Sequence, residues 1–304
     1  MRLSVILCTH NPRPDYLARC LDALASQTLA RHEWELLVVD NACAPSLGGR
    51  SDINWPSNTR FLTEPRLGLT PARLAGIRAA GGDLLVFVDD DNVLDRDYLE
   101  VAHRVARERP FLGSWSGQCR PEFERPPPAW TRRYWGNLVI REFDGDVWSN
   151  LPRLAETMPC GAGLCVRRGV AQHYLDLHVR SERPVQLDRI GKSLISGGDN
   201  DLAGTACDVG LGVGLIAALK LTHLIPAERL TVDYLARLAD GIYFSAVLLA
   251  HLRECEDELR AYRVRWHEPI RARFERGPHR RIATASLEGR RRGLEVVAAM
   301  TKRA

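Results

Sequence analysis

The sequence Leu84-Leu85-Val86-Phe87-Val88-Asp89-Asp90-Asp91-Asn92 joins five consecutive apolar residues directly to three aspartates. An uninterrupted apolar run bounded by polar residues predicts a strand that is buried on both faces, as in a parallel α/β sheet. Ligands of such sheets gather at the carboxyl ends of the strands. Three adjacent carboxylates repel one another unless a cation neutralises them, and hard oxygen ligands favour Mg²⁺ or Mn²⁺ completed by substrate phosphates. The stretch therefore predicts a metal–phosphate site at one edge of a sheet.

A simpler interpretation of the same stretch is an exposed acidic turn, with Asp95 as the cap of a helix over residues 96–107. Both interpretations place the aspartates at the end of the strand, and they differ in whether a cation is needed. A cap needs one carboxylate rather than three, so we favour the metal–phosphate site.

The bulk composition indicates a globular chain without disulfides. Its 304 residues are 45% hydrophobic and 26% charged, and the net charge of +4 says little about partners. The eight cysteines form no Cys-x-x-Cys pair, which predicts buried free thiols in a reducing compartment. No signal peptide opens the sequence, and the apolar stretch 209–219 is too short to cross a bilayer, so we expect a cytoplasmic protein.

Strand and helix patterns alternate along the first hundred residues. Apolar runs predict strands over residues 3–8, 35–39, 60–62 and 84–88. Helical spacing predicts helices over residues 14–29 and 72–80, the second with Thr70 as its N-cap. Repeats of strand, helix and strand predict parallel strands joined by right-handed crossovers. Beyond residue 226 the pattern is helical only.

Polar side chains follow the first two predicted strands at the point where each strand ends. Thr9-His10-Asn11 follows the first strand, and Asp40-Asn41 follows the second. A carboxylate such as Asp40 can accept hydrogen bonds from a base or a ribose. Together with the acidic triplet, these strand ends predict a nucleotide pocket. Asp-Asn also begins ordinary turns, and that interpretation stays open.

Residues 3 to about 235 resemble family 2 glycosyltransferases of bacterial type, which have the GT-A fold. The order and approximate spacing of the elements carry the resemblance, rather than any single motif. The matching elements are residues 5–11, 38–41, 68–77, 83–91, 161–167 and 197–202.

The resemblance implies an α/β architecture and a division of the chain. The GT-A fold has a Rossmann-like, mostly parallel central sheet with flanking helices. This domain would cover residues 1–230, with a nucleotide-sugar binding half at 1–110 and an acceptor half at 111–230. Residues 231–304 would form a helical C-terminal extension.

The resemblance also implies a role for individual residues. The donor would be bound by Thr9, Asn11, Asp40, Arg73, Asp89 and Asp90. The metal, Mg²⁺ or Mn²⁺, would be held by the acidic DXD motif through Asp91 and Asp89, with His223 as a further ligand. The acceptor and the sugar would contact Gly161, Ala162, Gly163 and Asp201.

The resemblance places the general base at Asp199, at the start of a helix behind the acceptor pocket. Transfer from a nucleotide-sugar needs a cation for the leaving diphosphate, a base for the acceptor hydroxyl and walls for the sugar. Attack from the opposite face of the sugar would invert the anomeric configuration. Gly198 stands where the family usually has Glu. Residues 198–201 also suit a helix cap, and a base and a cap can coexist.

Two further features of the sequence have several interpretations. Trp130 is predicted to stack on a sugar ring, although core packing is the commoner fate of tryptophan. The last 45 residues carry 13 Arg or Lys against 4 Asp or Glu. This tail suits a solvated helical face, a peripheral contact with the inner face of an anionic membrane, or a nucleic-acid patch. We favour the solvated face and expect no nucleic acid, because aromatic residues are sparse there.

The expected function is that of an inverting, metal-dependent, hexosyltransferase-type glycosyltransferase. It would move a sugar from a nucleoside-diphosphate sugar, UDP-linked favoured, to a hydroxyl of a carbohydrate, a lipid-linked acceptor or a small molecule, as in polysaccharide biosynthesis. One alternative is a phosphatase of the haloacid dehalogenase class, because Asp89-Asp90-Asp91-Asn92-Val93 matches its first motif, with Asp89 as nucleophile and Asp91 as acid/base. A second is a catalytically inactive sugar-nucleotide-binding module.

Overall fold

The computed structural model describes residues 1–48, 50–151, 155–180, 187 and 194–302. The strands are β1 (Leu3–Thr9), β2 (Trp34–Asp40), β3 (Thr59–Thr63), β4 (Leu84–Asp89), β5 (Asn92–Leu94), β6 (Leu112–Phe123), β7 (Val147–Ser149), β8 (Leu164–Arg167) and β9 (Gly212–Ile225). The helices are α1 (Pro14–Ala25), α2 (Leu69–Ala79), α3 (Tyr98–Glu108), α4 (Arg168–Val179), α5 (Gly198–Asp208), α6 (Val232–Leu252), α7 (Glu256–Tyr262), α8 (Glu268–Phe274) and α9 (Pro278–Thr301). Short 3₁₀ helices cover Arg31–Glu33, Ala129–Leu138 and Ala227–Leu230.

These strands form one mixed sheet. β1 lies between β2 and β4 and pairs with both in parallel, and β3 extends the parallel part beyond β2. The pairs β4–β8, β6–β8, β5–β9 and β7–β9 are antiparallel. The expected α/β class is confirmed, but the sheet is parallel only in its first half, which corrects the expectation of a mostly parallel sheet. The βαβ repeat that imposes parallel pairing ends at β4, which continues into β5 through a two-residue turn instead of a helix.

The central strand β1 is buried on both faces, because successive side chains of a strand point to opposite sides. On one side, Val5 and Leu7 pack in the same core cluster as Leu17 of α1. On the other side, Ile6 faces α2, where a Cβ atom on Gly76 would lie only 2.5 Å from Ile6 Cγ2. Glycine at this position lets α2 approach the sheet closely.

A buried carboxylate ties together the amino ends of β1, β2 and β4. Glu35 accepts hydrogen bonds from the Ser4 hydroxyl (2.7 Å), the Gly81 N–H (2.7 Å) and the Arg60 guanidinium (2.8 Å). Burial raises the pKa of this carboxyl, but the hydrogen bonds from Ser4, Gly81 and Arg60 outweigh it, so the pKa of Glu35 lies below its usual value. The ionised form is therefore stabilised in the folded protein.

Replacing Glu35 with glutamine is expected to lower the free energy of unfolding at pH 7 by about 1–3 kcal/mol, because a charge-assisted network loses its charge. A group whose pKa is depressed on folding contributes stability above its unfolded pKa of ~4.3 and loses it as the pH falls through the folded pKa. Urea denaturation from pH 7 downwards checks this. The difference in free energy of unfolding between Glu35→Gln and wild type should be largest at pH 7 and should shrink below about pH 4.3. The exposed control Glu108→Gln should have the stability of wild type at every pH. A difference that does not change with pH would contradict the assignment.

Two helices begin at other residues than predicted. α2 begins at Leu69, and its N-cap is Gly68, whose φ of 139° is a conformation that glycine adopts readily. Thr70 therefore lies inside the first turn of the helix instead of capping it. Pro71 is the third helical residue, where its missing N–H costs no intrahelical bond. α3 begins at Tyr98 with Asp97 as N-cap, because the Asp95 N–H still bonds the carbonyl of Lys220 beyond the end of β5.

The residue contacts divide the chain into two compact units. The first comprises residues 1–122, 139–182 and 199–225, and it contains the sheet. The second comprises residues 123–138, 183–198 and 226–304, and its described part contains α6 to α9. The last division falls at residue 226, and the second unit also includes two earlier segments, so the predicted division of the chain at residue 230 stays a prediction.

Within the second unit, α6 packs along α9. A Cβ atom on Gly289 would lie 2.2 Å from the carbonyl oxygen of Asp240, so the two helices touch through backbone at this point. Among the described residues, α6 is the one helix long and apolar enough to cross a membrane, with half of its most apolar stretch buried in the protein. Core helices pass the same test, so this is weak evidence for a membrane span. The sequence-based expectation considered only the shorter stretch 209–219.

Candidate active site

The carboxyl ends of β1, β2 and β4 bring three of the predicted site residues to one edge of the sheet. The strand register places Thr9 opposite Asp40 and Cys8 opposite Asp89. The Thr9 hydroxyl donates a hydrogen bond to the carboxylate of Asp90. The first strand is thereby joined directly to the acidic turn after β4, which is the arrangement expected from parallel neighbours.

Asp40 organises the loop that follows β2. Its carboxylate accepts hydrogen bonds from the Cys43 N–H (2.9 Å), the Ser46 hydroxyl (2.6 Å) and the Leu47 N–H (2.8 Å). Burial raises the pKa of Asp40, but these hydrogen bonds outweigh it and hold the pKa below its usual value. Asp40 is therefore an ionised anchor for its own loop, and its predicted contact with a nucleotide stays a prediction.

Asn11 joins the ends of β1 and β2. Its backbone is left-handed (φ 47°), a conformation that asparagine tolerates. Its side-chain oxygen accepts a hydrogen bond from the Ala44 N–H at 2.8 Å, and its own N–H lies 3.2 Å from the Cys43 sulfur. The loops after the two strands are thus fixed to each other around the predicted donor pocket.

Asn41 holds the segment that leads into α2, a role that the sequence did not reveal. Its side-chain oxygen accepts the Gly68 N–H at 2.8 Å, and its amide donates to the carbonyls of Glu64 (3.0 Å) and Arg66 (2.7 Å). Asn41 is 4% exposed, so these bonds form in a low-dielectric environment. In the sequence, this role was indicated only by the position of Asn41 after Asp40 at the end of a predicted strand.

Asp199 and Arg73 both lie beside Gly161, and their predicted roles as base and donor ligand stay predictions. The Gly161 N–H donates a 2.8 Å hydrogen bond to Asp199 Oδ2, and Asp199 Oδ1 accepts from the Asn200 N–H at 3.0 Å. A Cβ atom on Gly161 would lie 2.9 Å from Arg73 Nη2 and 3.1 Å from Asp199 Oδ2. Glycine is therefore the residue that leaves room for a guanidinium and a carboxylate at the start of α5.

Three further predicted acceptor residues, Ala162, Gly163 and Asp201, are buried. Ala162 is 5% exposed and Asp201 is 2% exposed. Gly163 has a left-handed φ of 67°, and its carbonyl accepts a 2.7 Å hydrogen bond from the Tyr98 hydroxyl. Packing under Tyr98 accounts for glycine at residue 163 without a sugar, so the predicted contacts of these three residues stay predictions.

Asp91 faces His223 across a short pair of strands. Asn92 of β5 pairs with His223 of β9, which places His223 Nε2 3.4 Å from Asp91 Oδ2. The Asn92 amide donates to Asp91 Oδ1 at 2.9 Å, so it fixes the orientation of the carboxylate. Both side chains are about nine-tenths buried, 9% exposed for His223 and 10% for Asp91.

The donor set around Asp91 suits a hard divalent cation that shares its ligands with a substrate. Among the described residues no group of three or more His, Cys, Asp or Glu is arranged to hold a metal alone. Mg²⁺ needs no such cage, because it is commonly held by one or two carboxylates plus phosphates and waters. Asp91, oriented by the Asn92 amide, could be such a carboxylate. The structure does not group Asp89, Asp91 and His223 as three ligands of one ion, so the predicted set of three stays a prediction.

Trp130 belongs to the second unit. Its ring lies edge-on to the rings of Tyr134 and His279, at 6.3 Å from each centroid. Its side chain is half-buried in this aromatic group. Stacking of Trp130 on a sugar stays a prediction.

Comparison with known proteins gives a family and several relatives. The family model described as "Glycosyl transferase family 2" matches residues 4–155, half of the chain. An N-acetylglucosaminyltransferase of Bradyrhizobium diazoefficiens is 32% identical over 125 residues, which is 38% of this chain and 24% of the relative. Glycosyltransferase GlyA of Streptococcus pneumoniae serotype 4 is 26% identical over 105 residues, 34% of this chain and 15% of GlyA. The match thus spans about a quarter or less of these two relatives.

A solved structure resembles the chain over most of its length. The crystal structure of S. aureus TarS 1–349 in complex with UDP superimposes with a TM-score of 0.50 and 14% sequence identity. The superposition covers 97% of this chain and 90% of the TarS chain. At this identity the likeness concerns the fold.

Proposed function

The chain belongs to glycosyl transferase family 2, and on that basis we propose that it is an inverting, metal-dependent glycosyltransferase that uses a nucleoside-diphosphate sugar. The observation that carries the proposal is the grouping of Asp199, Gly161 and Arg73 in the unit that also carries the acidic triplet. A base, a fixed positive charge and a diphosphate-binding edge are the groups that displacement at a sugar carbon requires.

In the proposed reaction Asp199 accepts the proton of the acceptor hydroxyl as the hydroxyl oxygen attacks the anomeric carbon. One oxygen of Asp199 is held by the Gly161 N–H, and this orients the carboxylate before substrate arrives. The bond from the anomeric carbon to the diphosphate breaks on the opposite face, so the configuration inverts. Asp91 and Asp89 would hold Mg²⁺ or Mn²⁺, which when bound stabilises the negative charge of the leaving diphosphate.

We propose a uridine diphosphate sugar as the donor. TarS, whose fold is similar, was crystallised with UDP. Several relatives are N-acetylglucosaminyltransferases, so UDP-N-acetylglucosamine is the first donor to test. The acceptor is proposed to be a hydroxyl of a carbohydrate, a lipid-linked sugar or a small molecule, and the reaction is proposed to occur in the cytoplasm.

Calorimetric titration of UDP, GDP, dTDP and CMP tests the donor assignment. We expect UDP to bind in the presence of Mn²⁺, and we expect EDTA to weaken its binding because a cation held by Asp91 would offset the charge of the diphosphate. If another nucleotide bound and UDP did not, the proposed uracil base of the donor would be wrong. If EDTA left the affinity for UDP unchanged, the proposed metal dependence would be wrong. Binding without sugar transfer would favour an inactive sugar-nucleotide-binding module.

Family membership favours the transferase over the phosphatase alternative. In that alternative Asp89 would be a phosphorylated nucleophile. Hydrolysis of a generic phosphoester that is lost in Asp89→Asn, with no nucleotide binding, would revive it.

A further inference from the structure

Three large apolar side chains are exposed in a row along α8. Trp266 is 82% exposed, Ile270 48% and Phe274 78%. Ile270 and Phe274 are four residues apart within α8, so they lie on one side of the helix, and Trp266 is exposed in the turn that leads into it. Ala272, on the opposite side of α8, is 7% exposed and packs inward. The apolar row is therefore left facing solvent.

Arginines flank this apolar row. Between residues 263 and 280 the sequence has six arginines and two glutamates. Both glutamates already have partners, since Glu268 pairs with Arg290 at 2.8 Å and Glu275 with Arg133 at 3.2 Å. In the described part of the chain no ion pair involves the flanking arginines of α8 and its adjoining turns, Arg265, Arg271, Arg273 and Arg276.

We propose that this row and these four arginines, called here the α8 face, dock the protein on the surface of an anionic lipid bilayer. Trp and Phe side chains enter the boundary between headgroups and acyl chains, while guanidinium groups remain at the level of the phosphates. Each arginine near an anionic surface contributes about fivefold to the membrane affinity. The two halves of the α8 face thus match the two layers of a bilayer surface.

The size of the apolar row argues against a second copy of the chain as the occupant. Fully exposed aromatic side chains offer roughly 150–250 Å² each, so the row offers on the order of 400 Å². A stable protein interface needs about 800 Å² from each partner. A bilayer surface has no such minimum area. The affinity of a protein for it is the sum of the burial of a few apolar side chains and the attraction between arginines and anionic lipids.

Stacking on nucleic acid also explains the row less well than a bilayer. Single-stranded nucleic acid binds to successive aromatic rings, each of which accepts one base. Ile270 occupies the middle of the row, and it has no ring on which a base could stack.

Co-sedimentation of the full chain with vesicles tests the proposal. We expect binding to vesicles of phosphatidylcholine mixed with phosphatidylglycerol and little binding to phosphatidylcholine alone. The double substitution Trp266→Ser with Phe274→Ser should lower the partition coefficient by about 100-fold or more, because two large apolar side chains no longer insert. Arg271→Gln with Arg273→Gln should lower it about 25-fold.

Matched controls separate this face from the rest of the surface. Val179→Ser with Leu151→Ser removes two exposed apolar side chains elsewhere, which are 68% and 59% exposed. Arg104→Gln with Arg107→Gln removes two exposed arginines from α3. Both control pairs should bind vesicles as wild type does, and circular dichroism should be unchanged in every variant.

A fluorescence measurement covers the case in which a substitution disturbs the fold. Trp266→Phe should keep vesicle binding but lose the blue shift that vesicles induce in wild type, because residue 266 is the tryptophan that enters the bilayer. Equal binding to neutral vesicles, controls that fail together with the test variants, or concentration-dependent dimerisation lost in Trp266→Ser would each overturn the proposal. Binding of an oligonucleotide in preference to vesicles would also overturn it. Vesicle binding is read without donor or acceptor, so its failure leaves the proposed transferase activity untouched.

Discussion

Replacing Asp199 with asparagine is expected to reduce kcat for sugar transfer by about 10²–10⁴, because a positioned general base contributes a factor of that size. Asparagine has the same shape and can keep the bond from the Gly161 N–H through its remaining oxygen, so the loss is chemical rather than structural. Steady-state transfer from UDP-N-acetylglucosamine, with calorimetry of UDP on the same samples, checks the prediction. The affinity for UDP should stay at the wild-type value.

The control for this substitution is Asp97→Asn. Asp97 is an exposed carboxylate at the start of α3, and its side chain makes no capping bond there. It should transfer sugar at the wild-type rate. If Asp199→Asn turned over as fast as this control, Asp199 would be a helix cap and not the base. A loss of UDP binding in Asp199→Asn would instead indicate that the donor pocket depends on the residue.

Replacing Asp91 with asparagine is expected to abolish the gain in UDP affinity that Mn²⁺ provides. Residues that only orient a metal ligand are worth ~10–100-fold in metal affinity, so the ligand itself should be worth at least ~100-fold. The substitution keeps the shape of a side chain that is 10% exposed, and its oxygen can still accept the Asn92 amide. Calorimetry of UDP with and without Mn²⁺ gives the difference directly.

His223→Gln tests whether the neighbour of Asp91 also contributes to Mn²⁺-dependent binding of UDP. Since His223 Nε2 lies 3.4 Å from Asp91 Oδ2, glutamine there should weaken Mn²⁺-dependent binding by about 10–100-fold without abolishing it. The exposed Asp22→Asn on α1 serves as the control and should bind UDP as wild type. Metal dependence that survives in Asp91→Asn would remove this residue from the metal site.

The sequence predicted the parts of the site that depend on buried strands. An apolar run that ends in aspartates identified β4, and the polar residues after β1 and β2 had to meet it because parallel neighbours end at the same edge. The family resemblance gave Asp199, Gly161 and Arg73 separate roles, and the structure brings Asp199 and Arg73 to the same glycine. No periodicity or spacing in the sequence would have brought these three residues together.

The parts that the sequence missed depend on short or long-range contacts. β5 has only three residues, too few for a period-two pattern, yet it sets the register between Asn92 and His223. The contacts of Asn41 with Gly68 reach 27 residues along the chain. The apolar row of α8 was also missed, since spacing alone does not tell which side of an amphipathic helix is packed.

The hydrogen bond that orients Asp199 has a consequence for which substitutions the protein tolerates. Its donor is the peptide N–H of residue 161, which every amino acid except proline possesses. Random side-chain substitution elsewhere therefore cannot delete the donor. A larger residue other than proline at 161 would retain this N–H but would crowd Arg73 and Asp199, since a Cβ atom there would lie 2.9 Å from Arg73 Nη2 and 3.1 Å from Asp199 Oδ2. In a library selected for transfer, glycine should thus be enriched at position 161 over residues with a Cβ atom.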